Sequence, residues 1–310
     1  MRGSTHASAS GDAMTDAFAI VDVAGPTSGV LLRRRIFAHK GLMLGTILLA
    51  LIVLMAVLAP LLAPHDPYAQ DLTRRAIPPI WYENGTWTHI LGTDNLGRDY
   101  LSRIIYGARI SLLIGLAVMV ISGLIGTALG LAAGYFGGRT DMFVTFIVTV
   151  RLALPLILVA LAVVALIGGS LWVVIMVLGL LKWDRFAVVM RAATQQVRSL
   201  DYVAAAESTG ASTLRIIVGE VLPNVLPQLI VVASVEAASA ILLEAALSFL
   251  GLGVQPPLPS WGLMIAEAKA YMFFSFWLIA IPGVALGILV LAINMVGDGI
   301  RDVTAPAGRS

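Results

Sequence analysis

Long uncharged runs, separated by charged or turn-rich segments, dominate this sequence. The first run extends from Gly41 to Ala63, and the second extends from Ile110 to Phe136. A helix needs about 20 apolar residues to cross a bilayer, and both runs are longer than that. Two later apolar segments, at about 226–250 and 273–296, also reach this length. These four segments are therefore predicted to be membrane-spanning helices.

The central run, Leu152–Leu181, is uncharged, is longer than one span needs, and allows two interpretations. As a single span it would put the loop 182–227 outside, together with five basic residues. That arrangement opposes the tendency of Lys and Arg to remain in the cytoplasm. As a hairpin turning at Gly168–Ser170, the run supplies part of a third span near 142–167 and a fourth near 170–193. We prefer the hairpin because it keeps the basic residues inside.

The resulting prediction is an all-α membrane protein with six transmembrane helices and both termini in the cytoplasm. It places 13 Lys and Arg residues inside and six outside, which agrees with the positive-inside rule. Only 12% of the residues are charged, against about 25% in a soluble domain. The predicted segments are a flexible tail (1–30), the first span with an outer segment (31–110), a core (111–303) and a second tail (304–310).

Two smaller patterns predict packing and ion pairing. Gly126, Gly130 and Gly134 recur every four residues, which predicts a helix face where another helix packs closely. Four charged residues just before the second span are spaced so that they can pair across helical turns. They are Asp94, Arg98, Asp99 and Arg103.

A long polar interruption, Ser199–Pro223, is predicted to form two short helices that meet at Gly210. Ser199 or Asp201 is predicted to cap the first helix, and Ser212 the second. Gly210 can adopt the left-handed conformation that ends a helix, and Pro223 is expected to mark another turn. Two short helices joined at a glycine suit the groove of another protein. A connector that only lies on the membrane surface fits the pattern equally well.

Three stretches resemble signatures of the permeases of ABC importers. SLDYVAAAESTGASTLRIIVGEVLP, residues 199–223, resembles the EAA loop, with Ala204 where the name of that loop expects Glu. LGTDNLGRDYLSRIIYGARISLLIG, residues 91–115, resembles a signature of the dipeptide/oligopeptide subfamily. SFLGLGVQPPLPSWGLMIAEA, residues 248–268, resembles another. Because the three stretches occur in the right order, the chain is identified as a member of this family, similar to its C subunits.

This resemblance implies the type I ABC importer permease fold in a prokaryotic cell membrane. It implies a homologous second permease, two ATPase subunits that carry ATP and Mg²⁺, and an extracytoplasmic substrate-binding protein. The substrate would be a di- or oligopeptide. The residues expected to couple the chain to an ATPase are Asp201, Ala204, Ala205, Ala206, Glu207, Gly210, Ala211, Leu214, Arg215, Leu222 and Pro223. The alternatives are an importer of nickel chelates or another small solute, and an ATP-independent channel or secondary transporter.

Three charged residues within predicted spans are candidates for the translocation path, because intramembrane charges usually face protein or water. Arg151 would line the path or extend to the inner interface. Glu236 and Glu244 are separated by about 80° around a helix, and so share a broad face. They would line a cavity, pair with a neighbouring helix, or remain neutral and hydrogen-bonded.

Several kinds of chemistry have no support in the sequence. The chain has no cysteine, so it forms no disulfide and has no thiolate site. It also contains no phosphate loop ending in Gly-Lys-Ser/Thr, no HExxH and no Gly-x-Ser-x-Gly. We therefore expect no catalytic residues, no metal site and no cofactor on this chain. Basic patches interleaved with aromatic residues are missing as well, so we expect no binding to nucleic acid.

Overall fold

The computed structural model describes residues 36–304, and this part of the chain is helical with no β-strand. The predicted tails at 1–30 and 304–310 lie outside the described residues, apart from Thr304. The helices are α1 (Lys40–Val57), α2 (Ala59–Leu62), α3 (Tyr100–Phe136), α4 (Gly138–Ala153), α5 (Leu156–Ile167), α6 (Leu171–Leu181), α7 (Asp184–Arg198), α8 (Asp201–Ser208), α9 (Thr213–Ile216), α10 (Leu222–Phe249), α11 (Trp261–Ala268) and α12 (Trp277–Thr304).

Four helices of the described chain are long and apolar enough to cross a membrane. They are α1, α3, the continuous helix Thr213–Phe249 that contains α9 and α10, and α12. These helices confirm the predicted first, second, fifth and sixth spans.

The third and fourth predicted spans are not continuous helices, although α4 and α5 together are long and apolar enough to form one bent span. The third is broken into α4 and α5, which meet at a bend of 80°. Pro155 causes the break, because it has no amide hydrogen and forces the preceding residue, Leu154, out of the helical region. The fourth is interrupted at Lys182–Trp183 between α6 and α7. The predicted turn near Gly168 is confirmed, since Gly168 has a φ of 111° and α5 packs against α6.

The glycine stripe on α3 packs directly against α7. A methyl group added to Gly126 would overlap the carbonyl oxygen of Trp183. One added to Gly130 would lie 2.7 Å from Cβ of Met190, and one added to Gly134 would lie 2.6 Å from Cβ of Thr194. These separations are shorter than carbon contacts allow, so the three glycines let the two helix backbones approach. The predicted packing face is confirmed.

At the start of α3, buried ion pairs join the segment 64–99 to α11. Asp94 pairs with Arg98, with Nε and Oδ2 2.6 Å apart, and with Arg103. Glu267 of α11 binds both arginines, with its Oε2 3.1 Å and 2.8 Å from their NH2 atoms. The predicted pairing is confirmed for Asp94 and wrong for Asp99. Asp99 instead caps α3, accepting a hydrogen bond of 2.8 Å from the amide of Ser102.

The two ends of α3 define two ends of the molecule. The segment 64–99 lies at its first residues, whereas Tyr135, near its last, contacts Glu207 of α8. Both described chain ends lie away from the 64–99 end, because His39 binds Asp302 while Leu278, at the start of α12, binds Tyr100.

Candidate functional site

The polar stretch forms a sharp elbow between α8 and α9. Gly210 follows α8 with a φ of 77°, a left-handed conformation that costs glycine little. Its amide donates to the carbonyl of Glu207 at 3.0 Å, and the amide of Ala211 donates to the carbonyl of Ala206 at 3.2 Å. This is the Schellman arrangement that ends a helix. The predicted short first helix and the junction at Gly210 are confirmed, whereas the second helix is longer than predicted.

The elbow is anchored from beneath and exposed above. Val203 of α8 and Ile216 of α9 are buried in a cluster that includes Met190 and Val197 of α7. The opposite face exposes the small residues Ala204 and Ala205 together with two larger side chains, Tyr202 and Leu214, and Leu214 keeps 72% of its surface accessible. A fixed apolar base beneath an exposed small-residue surface is an arrangement suited to docking.

Predicted coupling residues occupy the exposed side or the edge of this elbow. The exposed ones are Asp201, Ala204, Ala205, Glu207, Gly210, Leu214, Arg215 and Pro223. The partly buried ones are Ala206, Ala211 and Leu222.

Three local predictions about this stretch are wrong. Neither Ser199 nor Asp201 caps α8, because Leu200 occupies the N-cap position and no side chain accepts a hydrogen bond there. Ser212 does stand at the N-cap of α9, but its side chain makes no capping bond. The chain does not turn at Pro223. This proline is the second residue of α10 and closely follows the π-helical turn Ile217–Val221.

As a result, α9 continues through a π-helical turn, Ile217–Val221, straight into α10. The exposed elbow and the fifth span therefore form one helix of 37 residues.

Glu236 of α10 is buried in a cluster of opposite charges. Its Oε2 lies 2.6 Å from Nζ of Lys182, and its Oε1 lies 3.4 Å from NH1 of Arg185. Lys182 also donates to the hydroxyl of Ser239 at 2.9 Å. Lys182 lies at the break between α6 and α7, and Arg185 lies in the first turn of α7. A buried charge needs such partners, since an isolated one costs several kcal/mol.

Glu236 and Arg185 line an open cavity of about 830 Å³. Its walls are α7, with Val188 and Val189, and α10, with residues between Pro227 and Val235. Leu152 of α4 also lines the cavity, as do Arg301 and Thr304 near the end of α12. The cavity is therefore mostly apolar, with guanidinium groups and a buried carboxylate as its charged groups.

The other two candidates for the path lie elsewhere. Arg151 extends from the last turn of α4 and donates through Nε to the carbonyl of Leu181, the last residue of α6, at 2.7 Å. A cation placed on a helix C-terminus is favourable. Glu244 is fully buried, and its Oε1 accepts hydrogen bonds from Ser248 at 2.7 Å and Ser260 at 2.9 Å. It ties α10 to the start of α11 and does not contact the 830 Å³ cavity.

Sequence reasoning did not assign Tyr135, Lys182 or Arg185 to the site. Tyr135 of α3 donates to Oε1 of Glu207 at 3.1 Å and lies beneath the guanidinium of Arg198. Lys182 and Arg185 are basic residues near an apolar run, which could have been matched to the acidic residue in a neighbouring span. Tyr135 gave no such signal, because only the fold brings it to the elbow.

Residues 126–309 match the family described as binding-protein-dependent transport system inner membrane component. The chain belongs to this family. Residues 29–79 of the permease match a second model, the N-terminal transmembrane domain of oligopeptide transport permease C. The permease thus lies in the inner membrane, as a subunit of an ABC importer with ATPase partners.

Named relatives cover most of the permease. It is 45% identical to the di/tripeptide transport system permease protein DppC of Pseudomonas aeruginosa, over 87% of this chain and 89% of that one. It is 40% identical to the dipeptide transport system permease protein DppC of Haemophilus influenzae, over 86% and 91%. A chain of the inward-facing MetNI methionine ABC transporter superposes with a TM-score of 0.54 at 19% identity, covering 66% of the permease and 98% of that chain. This likeness supports the type I importer fold.

Proposed function

We propose that the permease carries di- or oligopeptides across the inner membrane, enclosing the translocation path with a second, homologous permease. The observation that carries the proposal is the anchored elbow at Gly210, whose exposed small-residue surface has no partner among the described residues. Its relatives named as di/tripeptide and dipeptide permeases supply the substrate class.

The elbow docks into an ATPase subunit beneath the membrane. Two such subunits bind and hydrolyse ATP with Mg²⁺, and the permease itself has no ATPase site, catalytic residue or cofactor. Both described chain ends share the elbow's end of the fold and are cytoplasmic in this arrangement. The segment 64–99 then faces outward and meets the extracytoplasmic binding protein.

The 830 Å³ cavity is the part of the path that this chain contributes. Arg185 and Arg301 line it, and a guanidinium group binds a carboxylate with two parallel hydrogen bonds. A peptide offers such a carboxylate at its C-terminus. Lys182 neutralises Glu236 within the wall, so the exposed charge of Arg185, whose side chain is 64% accessible, remains available to substrate.

A bulky residue at the elbow tests the docking role. A Cβ atom added to Gly210 meets no atom within 4 Å, so the side chain of Gly210→Trp starts in open space on the exposed surface of the elbow. We expect loss of ATP-driven uptake of a labelled dipeptide in proteoliposomes that contain the co-purified ATPases, with normal membrane insertion. Gly210→Ala is the matched control, since it adds the same backbone strain without the bulk. Full uptake in Gly210→Trp would contradict the docking role.

Substrate and energy source are tested in the same proteoliposomes. Uptake of a nickel chelate or another small solute, without uptake of the dipeptide, would favour the alternative importer. Dipeptide transport by the permease without ATPases would instead indicate a channel or secondary transporter, for which the elbow has no use.

A further inference from the structure

Two of the four histidines of the chain converge on one carboxylate at the 64–99 end of the fold. His65 follows α2, His89 lies in the segment before α3, and Asp99 caps α3. Nδ1 of His89 lies 2.9 Å from Oδ1 of Asp99, and Nδ1 of His65 lies 3.5 Å from the same oxygen. One ligand atom from each residue falls within 4.8 Å of the other two.

Hydrogen bonding explains only half of this arrangement. The bond between His89 and Asp99 has ordinary length, but the 3.5 Å separation from His65 is longer than a good N–H···O bond. Two ligands of one tetrahedral zinc ion, each bonded at about 2.0–2.1 Å, lie roughly 3.3 Å apart. The two separations from Asp99 fall on either side of that value, and the two histidine nitrogens lie within 4.8 Å of each other, so a small movement of the side chains would bring all three groups onto a common ion.

The surroundings hold these groups in place. Oδ2 of Asp99 accepts hydrogen bonds from the amide and the hydroxyl of Ser102, at 2.8 Å and 2.7 Å, which leaves Oδ1 directed at the histidines. The hydroxyl of Ser102 also accepts from the amide of His65 at 3.1 Å. Ser102 is fully buried and thus positions two of the three residues at once. Outer-shell partners of this kind commonly orient metal ligands.

We propose that His65, His89 and Asp99 bind a divalent transition-metal ion, with zinc as the fitting species. Imidazole nitrogens and a carboxylate oxygen suit Zn²⁺, whereas Mg²⁺ and Ca²⁺ prefer oxygen ligands. His89 and Asp99 are buried, and the side chain of His65 is 38% exposed. The ion therefore enters from the His65 side, and water occupies its fourth position. Zinc there clamps the segment 64–99 onto the start of α3, outside the peptide path.

The test uses the full-length permease in detergent, purified with a histidine-free affinity tag and stripped with a chelator. We expect calorimetric titration with ZnCl₂ to give one site per chain, and CaCl₂ and MgCl₂ to give none at the same concentration. His65→Gln and His89→Ala are expected to weaken zinc binding at least tenfold, and Ser102→Ala by about tenfold through lost positioning. His39→Ala is the matched control, because His39 pairs with Asp302 at the other end of the molecule and should leave binding unchanged.

Two further measurements keep the result clear if a variant folds poorly. The unfolding temperature of each variant, measured without zinc, shows whether the variant is folded. Added zinc should raise the unfolding temperature of the wild type, but not that of His65→Gln or His89→Ala. X-ray absorption of zinc-loaded wild type should show two imidazoles at about 2.0–2.1 Å. The proposal would be overturned if zinc did not bind, if binding survived both histidine changes, or if the spectrum showed no imidazole. His65, His89 and Asp99 would then be only a hydrogen-bonded cluster.

Discussion

Removing the charge of Lys182 alone should destabilise the permease strongly. Removing the charges of Lys182 and its partner Glu236 together should destabilise it much less. Lys182 and Glu236 are almost completely buried, and their charged atoms are 2.6 Å apart. Lys182→Met leaves Glu236 with Arg185 alone, at 3.4 Å and largely in solvent. Arg185 therefore compensates the buried carboxylate only in part.

Breaking a buried pair by removing one partner costs about 3–5 kcal/mol, because an uncompensated charge remains. A loss of one kcal/mol lowers the midpoint temperature of unfolding by about 2–4 °C in domains of 150–250 residues. Lys182→Met should therefore lower the midpoint temperature by roughly 6 °C or more. The double change, Lys182→Met with Glu236→Met, should recover most of this loss. A loss of about 1 kcal/mol in the free energy of unfolding should remain in the double variant, because the hydroxyl of Ser239 loses its hydrogen-bond partner Lys182.

The assay is thermal unfolding in detergent, followed by tryptophan fluorescence at one fixed heating rate because unfolding of such a protein is irreversible. Arg185→Met is the control, since an exposed partner contributes about 1 kcal/mol or less. If the double variant loses as much as the two single variants added together, the two charges do not stabilise each other and the reasoning is refuted.

Two further changes test the packing of the spans. Gly130→Ala should destabilise by about 1–3 kcal/mol, because its added methyl group would lie 2.7 Å from the carbonyl oxygen of Ala187. Gly123→Ala, whose added methyl group would lie 3.4 Å from the ring of Phe186, should change the unfolding midpoint little, and equal losses would contradict the close packing. Glu244→Ala should cost about 2–5 kcal/mol, because it leaves a cavity and two buried hydroxyls unpaired. Glu244→Gln keeps an accepting oxygen and should retain most of the stability, so similar losses in both variants would argue against hydrogen bonding as its role.

Features that depend on local sequence could be predicted well. Apolar length identified four spans, and the spacing of Gly126 and its equivalents identified the packing face of α3. Gly210 ended α8 as expected, because few other residues adopt its conformation cheaply.

Features that depend on tertiary contacts were missed or misplaced. The length and hydrophobicity of the third span did not predict its bend at Pro155. The proline itself could have predicted the bend, because proline interrupts a helix. At the break after α6, Lys182 pairs with Glu236 of the next long span. This pairing could be predicted only by matching charges between spans, because the sequence around the break does not show it. His65, His89 and Asp99 likewise lie too far apart along the chain to form a recognisable motif.

The continuity of α9 with α10 has a mechanical consequence. Gly210 joins two arms of the structure. The first arm consists of α7 and α8, and the second is the 37-residue helix Thr213–Phe249. At about 1.5 Å per residue, Glu236 lies about 35 Å along the second arm from its first residue, Thr213, which is close to Gly210. Helix α7 of the first arm and helix α10 of the second arm are also the two main walls of the 830 Å³ cavity. A rotation of about 5° at the elbow would move the wall at Glu236 by roughly 3 Å. That displacement is enough to separate Glu236 from Lys182, so the buried pair resists a change in the angle at Gly210.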